Sequence, residues 1–265
     1  DMGALRVRNG HPEPYNVRYW EVGNEVSGRH QVNWTTAGGN VDRYLRFTEA
    51  MRAVDPDIRF LGCGAPWGPE DEWNRRLVEE TGATMRIITD HILAGGSVEP
   101  SVRPEDLFDA FMAYPAFLGK QYREQKQKME QAGIGDPRLA ITELQLFARV
   151  GEGEGPLNRD TMPTPATISE ALYHALIVNE CIRMGDFTEM ITHSATVNHG
   201  GGLRKTRERV WANPCHYGMA MERELAGGTP LALKLRCAAF SIGGDVGSLP
   251  AVRDVPVIDA MAVLK

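Results

Sequence analysis

Cysteine is scarce in this sequence: Cys63, Cys181, Cys215 and Cys237 are the only four in 265 residues. None forms a C-x-x-C pair, which excludes a zinc ribbon and a thioredoxin-like redox motif, and four are too few for a disulfide scaffold, so they read as buried thiols. Long apolar runs are also missing. Polar residues interrupt each one well short of the ~18 residues a membrane-crossing helix needs, so no membrane partner is expected. Nor is there an excess of positive charge: 35 acidic against 29 basic side chains leave a formal net charge of −6, the opposite of a nucleic-acid binder's basic footprint. Asp1-Met2-Gly3-Ala4 carries neither the basic nor the apolar stretch of a secretory leader. No repeat or low-complexity tract occurs. What remains, 42% apolar and 24% charged residues, is the composition of a folded globular protein, and the length matches the ~250 residues of a whole (β/α)₈ barrel.

Periodicity divides the chain into alternating units. Residues 17–23, 58–63, 85–93, 139–142 and 188–194 read as short strands rich in β-branched or aromatic residues. Between them, residues 41–54, 70–81, 104–132 and 167–184 carry helical spacing, with a break expected near Pro115. The spacing places Val41, Tyr44, Leu45, Phe47, Met51 and Val54 on one apolar helix face, and Gly95-Gly96 reads as a strand end. A Gly- and Pro-rich loop fills 151–165. Strand–helix alternation of this kind signals parallel βαβ units. Near Gly227-Gly228 the pattern changes: 231–242 and 255–264 read as antiparallel strands between Gly-rich turns.

Two carboxylates stand at the C-terminal ends of expected parallel strands: Glu25, after Tyr19-Trp20-Glu21-Val22-Gly23-Asn24, and Glu143, after Leu139-Ala140-Ile141-Thr142. In a parallel barrel those ends form the catalytic face, where apolar walls can raise a carboxyl's pKa. Two carboxyls across one sugar ring supply the acid and the nucleophile of glycoside hydrolysis. Gly23-Asn24-Glu25 after an aromatic strand, Ile141-Thr142-Glu143 further on, and the late Val255-Pro256-Val257-Ile258-Asp259-Ala260 together resemble the clan A retaining glycosidases, and within them the family 51 α-L-arabinofuranosidases.

That resemblance implies a TIM barrel followed by a β-sandwich domain. It implies Glu25 as general acid/base after barrel strand 4, Glu143 as nucleophile after strand 7, and Asn24 as a hydrogen-bond partner of the sugar hydroxyl beside the reacting carbon. The implied reaction is double displacement at carboxyls ~5–5.5 Å apart, removing arabinofuranosyl groups from an arabinose-containing glycan with no metal or organic cofactor. His91 resembles the strand-6 histidine of the family, but His91-Ile92-Leu93 lacks the tyrosine that often follows it and touches the nucleophile. Trp67 and Trp211 fall in loops after strands 5 and 8, where an indole face can stack on a sugar; Asn198 and His193, near the end of strand 8, are weaker candidates. Another clan A activity, such as β-xylosidase or endo-β-glucanase, shares the same pair, and an inactive carbohydrate-binding relic is the alternative outside catalysis.

Other signals fail. His199-Gly200-Gly201-Gly202 matches an esterase oxyanion loop, but no G-x-S-x-G elbow exists. Gly201-Gly202-Leu203-Arg204-Lys205-Thr206 lacks the glycine a Walker A lysine follows. His193 and His199 are spaced like metal ligands without a carboxylate-rich partner motif, so no metal is expected.

The position of Glu25 conflicts with a whole barrel. Three preceding βα units need on the order of 90 residues at ~30 each, and about 20 precede Asn24. The expectation is therefore barrel strands 4 to 8 over residues 1–226, with a β domain beginning at 227–265, in a segment of a longer parent. It would leave an open sheet edge and would be poorly stable and inactive alone. Homo-oligomerisation is a property to look for in the parent, and the compartment, cytoplasmic or secreted, is left open.

Overall fold

The computed structural model describes residues 1–65, 72–150 and 167–265. After a short helix α1 (Met2–Arg8), the chain alternates β1 (Tyr19–Val22), α2 (Ala37–Arg52), β2 (Arg59–Gly62), α3 (Glu72–Thr81), β3 (Ile87–Val98), α4 (Pro104–Gln131), β4 (Arg138–Val150), α5 (Ile168–Arg183) and β5 (Thr188–Ile191). The five strands form one parallel sheet in chain order, β1-β2-β3-β4-β5. A small hairpin of β6 (Leu203–Lys205) and β7 (Val210–Ala212) and helix α6 (Pro214–Glu222) follow. The last residues form two antiparallel pairs, β8 (Thr229–Pro230) with β11 (Val263–Leu264), and β9 (Ala239–Ile242) with β10 (Val252–Pro256).

Thr36 starts α2 and Thr167 starts α5, each hydroxyl accepting from the backbone N–H three residues on. The helices cover one face of the sheet. Ile88, Ile92, Leu139, Ile141 and Leu144 from the strands bury against Leu77, Phe111, Leu118, Tyr122, Tyr173 and Ile177 of α3, α4 and α5.

The other face is concave. In a flat sheet, edge strands four positions apart would stand roughly 19 Å from each other at ~4.8 Å per strand. Yet the Tyr19 hydroxyl of β1 donates to the Glu189 carboxylate of β5, and Arg59 of β2 donates to the same carboxylate at 2.9 Å. Only a strongly curled sheet permits that, and the curl is that of a partial (β/α)₈ barrel.

Four local expectations are corrected. Helix α4 passes Pro115 unbroken. An interior proline costs about 3 kcal/mol, but Ala113, Pro115 and Leu118 are buried, Tyr114 stacks on Phe117 and Tyr173, and Phe111 packs edge-on against Tyr173, so tertiary packing offsets it. Strand β3 does not stop at Gly95-Gly96; it runs to Val98, paired throughout with β4, with positive φ at both glycines and the Gly95 backbone tied in both directions to Ser248. On α2, Val41 and Tyr44 are buried, whereas Leu45 and Phe47, and Val54 just past the helix end, are exposed. The expected strand over 231–242 shrinks to Ala239–Ile242, with Leu231, Leu233 and Leu235 open to solvent.

Candidate active site

The concave face gathers its polar groups at the C-terminal ends of the strands. Three residues after β1, Glu25 adopts φ of 47°, a left-handed conformation that costs a non-glycine residue energy and concentrates at functional sites. Its Oε1 lies 3.0 Å from His91 Nδ1. Its Oε2 lies 2.9 Å from His30 Nε2 and accepts from Gln31 Nε2 at 3.2 Å. These two partners come from the turns that follow, begun by the Gly28 N–H donating to the Glu25 carbonyl.

Glu143 reaches the same place from β4 by way of a bulge. Asp90 pairs with Ile141 and His91 with Glu143, leaving Thr142 as one extra residue in β4. Asp90 and Ile141 face the helices, where Asp90 accepts from the Tyr122 hydroxyl at 2.6 Å. The irregularity turns Glu143 to the concave face beside His91, a bulge re-aiming a side chain. His91 Nδ1 stands 3.6 Å from Glu143 Oε1. An oxygen of Glu25, the His91 nitrogen and an oxygen of Glu143 all lie within 4.8 Å of one another. Three strand positions would separate β1 and β4 by roughly 14 Å in a flat sheet, so the curl brings the pair together. This donor set could also hold a divalent cation.

The electrostatics of the two carboxyls differ. Burial pushes Glu25 up, but hydrogen bonds from His91, His30 and Gln31 outweigh it and hold the carboxyl below its usual range. Burial pushes Glu143 up, the Glu25 charge adds to the rise, and His91 and His199 oppose it. Beneath them Glu21, also raised by burial, accepts from the Thr89 hydroxyl at 2.8 Å.

The remaining sequence candidates are distributed unevenly. Asn24 is exposed beside Glu25. Trp211 lies in β7, partly exposed, with the Arg209 guanidinium 4.4 Å from its ring centroid. Asn198, at φ of 59°, spends its amide on the Lys205 backbone, donating at 3.1 Å and accepting at 2.8 Å. Trp67 lies outside the described residues, as does the loop over 151–165.

Glu21, His30, Gln31 and His199 are additions that sequence reasoning missed. Strand alternation could have found Glu21, which shares the Tyr19 face of β1; no periodic signal points to the other three. His199 is held by Ser194, whose hydroxyl lies 2.8 Å from His199 Nδ1 and donates to Gln145 at 2.9 Å. The glycines after His199 serve close approach: a Cβ on Gly201 would fall 2.5 Å from the Thr196 Cα.

Comparison with known proteins agrees with the fold. Residues 1–93 match the family described as α-L-arabinofuranosidase 1 domain. A probable α-L-arabinofuranosidase C of Aspergillus niger is 21% identical over 98% of this chain and 52% of its own. An intracellular exo-α-(1→5)-L-arabinofuranosidase of Streptomyces lividans is 30% identical over 40% of this chain and 16% of its own. Among solved structures, a family 51 arabinofuranosidase of Xanthomonas axonopodis pv. citri superposes with a TM-score of 0.80 at 17% identity, covering 99% of this chain and 52% of that one. An α-L-arabinofuranosidase of Thermotoga maritima, in an arabinose complex, superposes at 0.78 and 20%, covering 98% and 52%. The chain is thus similar in sequence to α-L-arabinofuranosidases and shares the fold of part of the TIM barrel in these solved structures, and it spans about half the length of the matches that cover nearly all of it.

Proposed function

We propose that this chain carries the catalytic pair of a retaining α-L-arabinofuranosidase, with residues 1–226 as its barrel portion and 227–265 as the start of a β domain. The observation that carries the reading is the meeting of Glu25 and Glu143, with oxygens within 4.8 Å of each other and His91 between them. Retention needs carboxyl groups about 5–5.5 Å apart; inversion needs about 6.5–9.5 Å to admit a water.

In the first step Glu143 attacks the anomeric carbon as the glycosidic bond breaks, and Glu25 gives its proton to the departing oxygen. In the second, Glu25 takes a proton from water, whose oxygen attacks the same carbon and returns Glu143 as carboxylate. His91, in reach of both carboxyls, positions them and offsets their mutual repulsion. Asn24, beside Glu25, would meet the sugar hydroxyl next to the reacting carbon, with Trp67 and Trp211 as candidate stacking surfaces. The substrate would be an arabinose-containing glycan, as the relatives' names suggest.

The test is a panel of nitrophenyl glycosides with the full-length parent protein. Release from the α-L-arabinofuranoside, at least 10³-fold loss in Glu143→Gln, and an arabinosyl adduct on Glu143 in mass spectra are expected. Cleavage of the β-xyloside instead would replace the substrate assignment, and full activity in Glu143→Gln would overturn the nucleophile.

A further inference from the structure

Behind the candidate active site lies a second cluster that hydrolysis does not use. His174 on α5, His193 just after β5 and Cys215 in the first turn of α6 place one donor atom each within 4.8 Å of one another. His174 and Cys215 are fully buried and His193 is half-buried. His174 Nδ1 lies 2.8 Å from Cys215 Sγ, and the thiol donates to the Gly200 carbonyl at 3.4 Å.

Three buried polar atoms around this point lack a hydrogen-bond partner: His174 Nε2, His193 Nδ1 and Glu170 Oε1. His174 Nε2 and Glu170 Oε1 face each other 3.7 Å apart. Orphaned buried groups are costly, and in native structures each calls for an occupant or a role.

We propose that His174, His193 and Cys215 form a structural zinc site, with Glu170 as the carboxylate behind the His174 ring. The donor set, two imidazoles and a thiolate, is that of borderline-soft Zn²⁺. The ion resolves the orphans together. With Nδ1 of His174 on the metal, its Nε2–H turns to Glu170, the carboxylate–histidine–zinc arrangement that fixes a ring's tautomer. The free Nδ1 of His193 becomes a ligand. The thiolate and the Glu170 carboxylate balance the two positive charges, so nothing buried is left unpaired.

For the His174–Cys215 pair the geometric adjustment is small. Zn–N of about 2.0 Å and Zn–S of about 2.3 Å set N and S roughly 3.5 Å apart at a tetrahedral angle, so the 2.8 Å pair opens by about 0.7 Å. The Gly200 carbonyl or a water completes four-coordination. Such an ion pins α5, the end of β5, the start of α6 and the loop that bears His199.

Purified full-length protein, prepared without chelator, should contain about one zinc per chain by plasma mass spectrometry. Cobalt added to the stripped protein should bind with a near-ultraviolet thiolate-to-cobalt band. Cys215→Ser should abolish that band, and Glu170→Gln should weaken cobalt binding about 10–100-fold. Should Cys215→Ser not fold, His193→Asn, at a half-buried position, should weaken binding at least 10-fold with the fold intact by circular dichroism. A protein with no stoichiometric zinc and no cobalt band, or a band indifferent to His193→Asn, would overturn the site. These readouts follow the metal alone and stand or fall apart from which glycoside is cleaved.

Discussion

At the residue scale, the two carboxyls at rest are poised against the roles assigned to them. A general acid should hold its proton, and Glu25 is kept ionised by three hydrogen-bond partners. A nucleophile should be bare, and Glu143 is raised by its burial. Two acids that share His91 titrate as a pair, so the reactive microstate, Glu25 protonated and Glu143 ionised, is the less populated one until substrate arrives. His30 and Gln31 sit on the Glu25 oxygen not bonded to His91, so a glycosidic oxygen approaching that carboxyl takes their place, and the acid regains its proton on losing them. The His30→Ala/Gln31→Ala double variant removes two influences that lower Glu25, so its pKa rises; Glu25 is the lower of the pair and therefore sets the acid limb of the kcat/KM profile, which moves to higher pH. The alkaline limb, set by Glu143, should stay above the usual carboxylate range in both proteins. A pH–rate profile with an unmoved acid limb would show that Glu25 is not the acid.

At the scale of elements, the strand ends that carry Glu25 and Glu143 were legible in the sequence because β-branched runs followed by glycine or a lone carboxylate have a local signature. The bulge at Thr142 was not. It exists only as a mismatch of register between β3 and β4, and nothing in Ile141-Thr142-Glu143 announces a two-to-one pairing. Likewise the unbroken α4 was hidden, because local propensity condemns Pro115 while the contacts that retain it come from α5. Close backbone approach is hidden in the same way. Gly64, just past β2, would place a Cβ 2.0 Å from the Thr89 carbonyl oxygen of β3, and that neighbour is backbone and cannot swing aside. Gly64→Ala should therefore destabilise the protein by about 1–3 kcal/mol, the usual cost of forced overpacking. Gly135→Ala, where a Cβ meets open space, should stay within about 0.5 kcal/mol. Thermal unfolding of the two variants side by side checks this, and equal melting temperatures would refute the steric argument.

At the scale of the whole molecule, the active-site distance depends on curvature, which no strand possesses by itself. Alternation and helix spacing point to a parallel sheet and to its order, but how far that sheet closes is decided by pairs such as Tyr19 with Glu189, 170 residues apart. Glu189 is the knot of that closure. It accepts from Tyr19 of β1 and Arg59 of β2, and it lies 3.9 Å from Arg138 of β4, with its side chain only 11% exposed. Removing one partner of a largely buried charge network leaves the others uncompensated, although the more exposed Arg59 and the Asp136 pairing of Arg138 at 3.1 Å soften the loss. Glu189→Ala should cost about 1–3 kcal/mol of stability, and kcat/KM of the full-length parent should fall about 10-fold or more as the strands relax, because about 1 Å of misplacement remote from the chemistry can cost 10²-fold. Glu189→Gln, which still accepts from Tyr19, should recover part of the activity even where the lost charge keeps its melting temperature low. If Glu189→Ala lost stability but kept full kcat/KM, the closure at one end of the strands would have no hold on the carboxyls at the other, and the distance between Glu25 and Glu143 would have to be set by His91 and its neighbours alone.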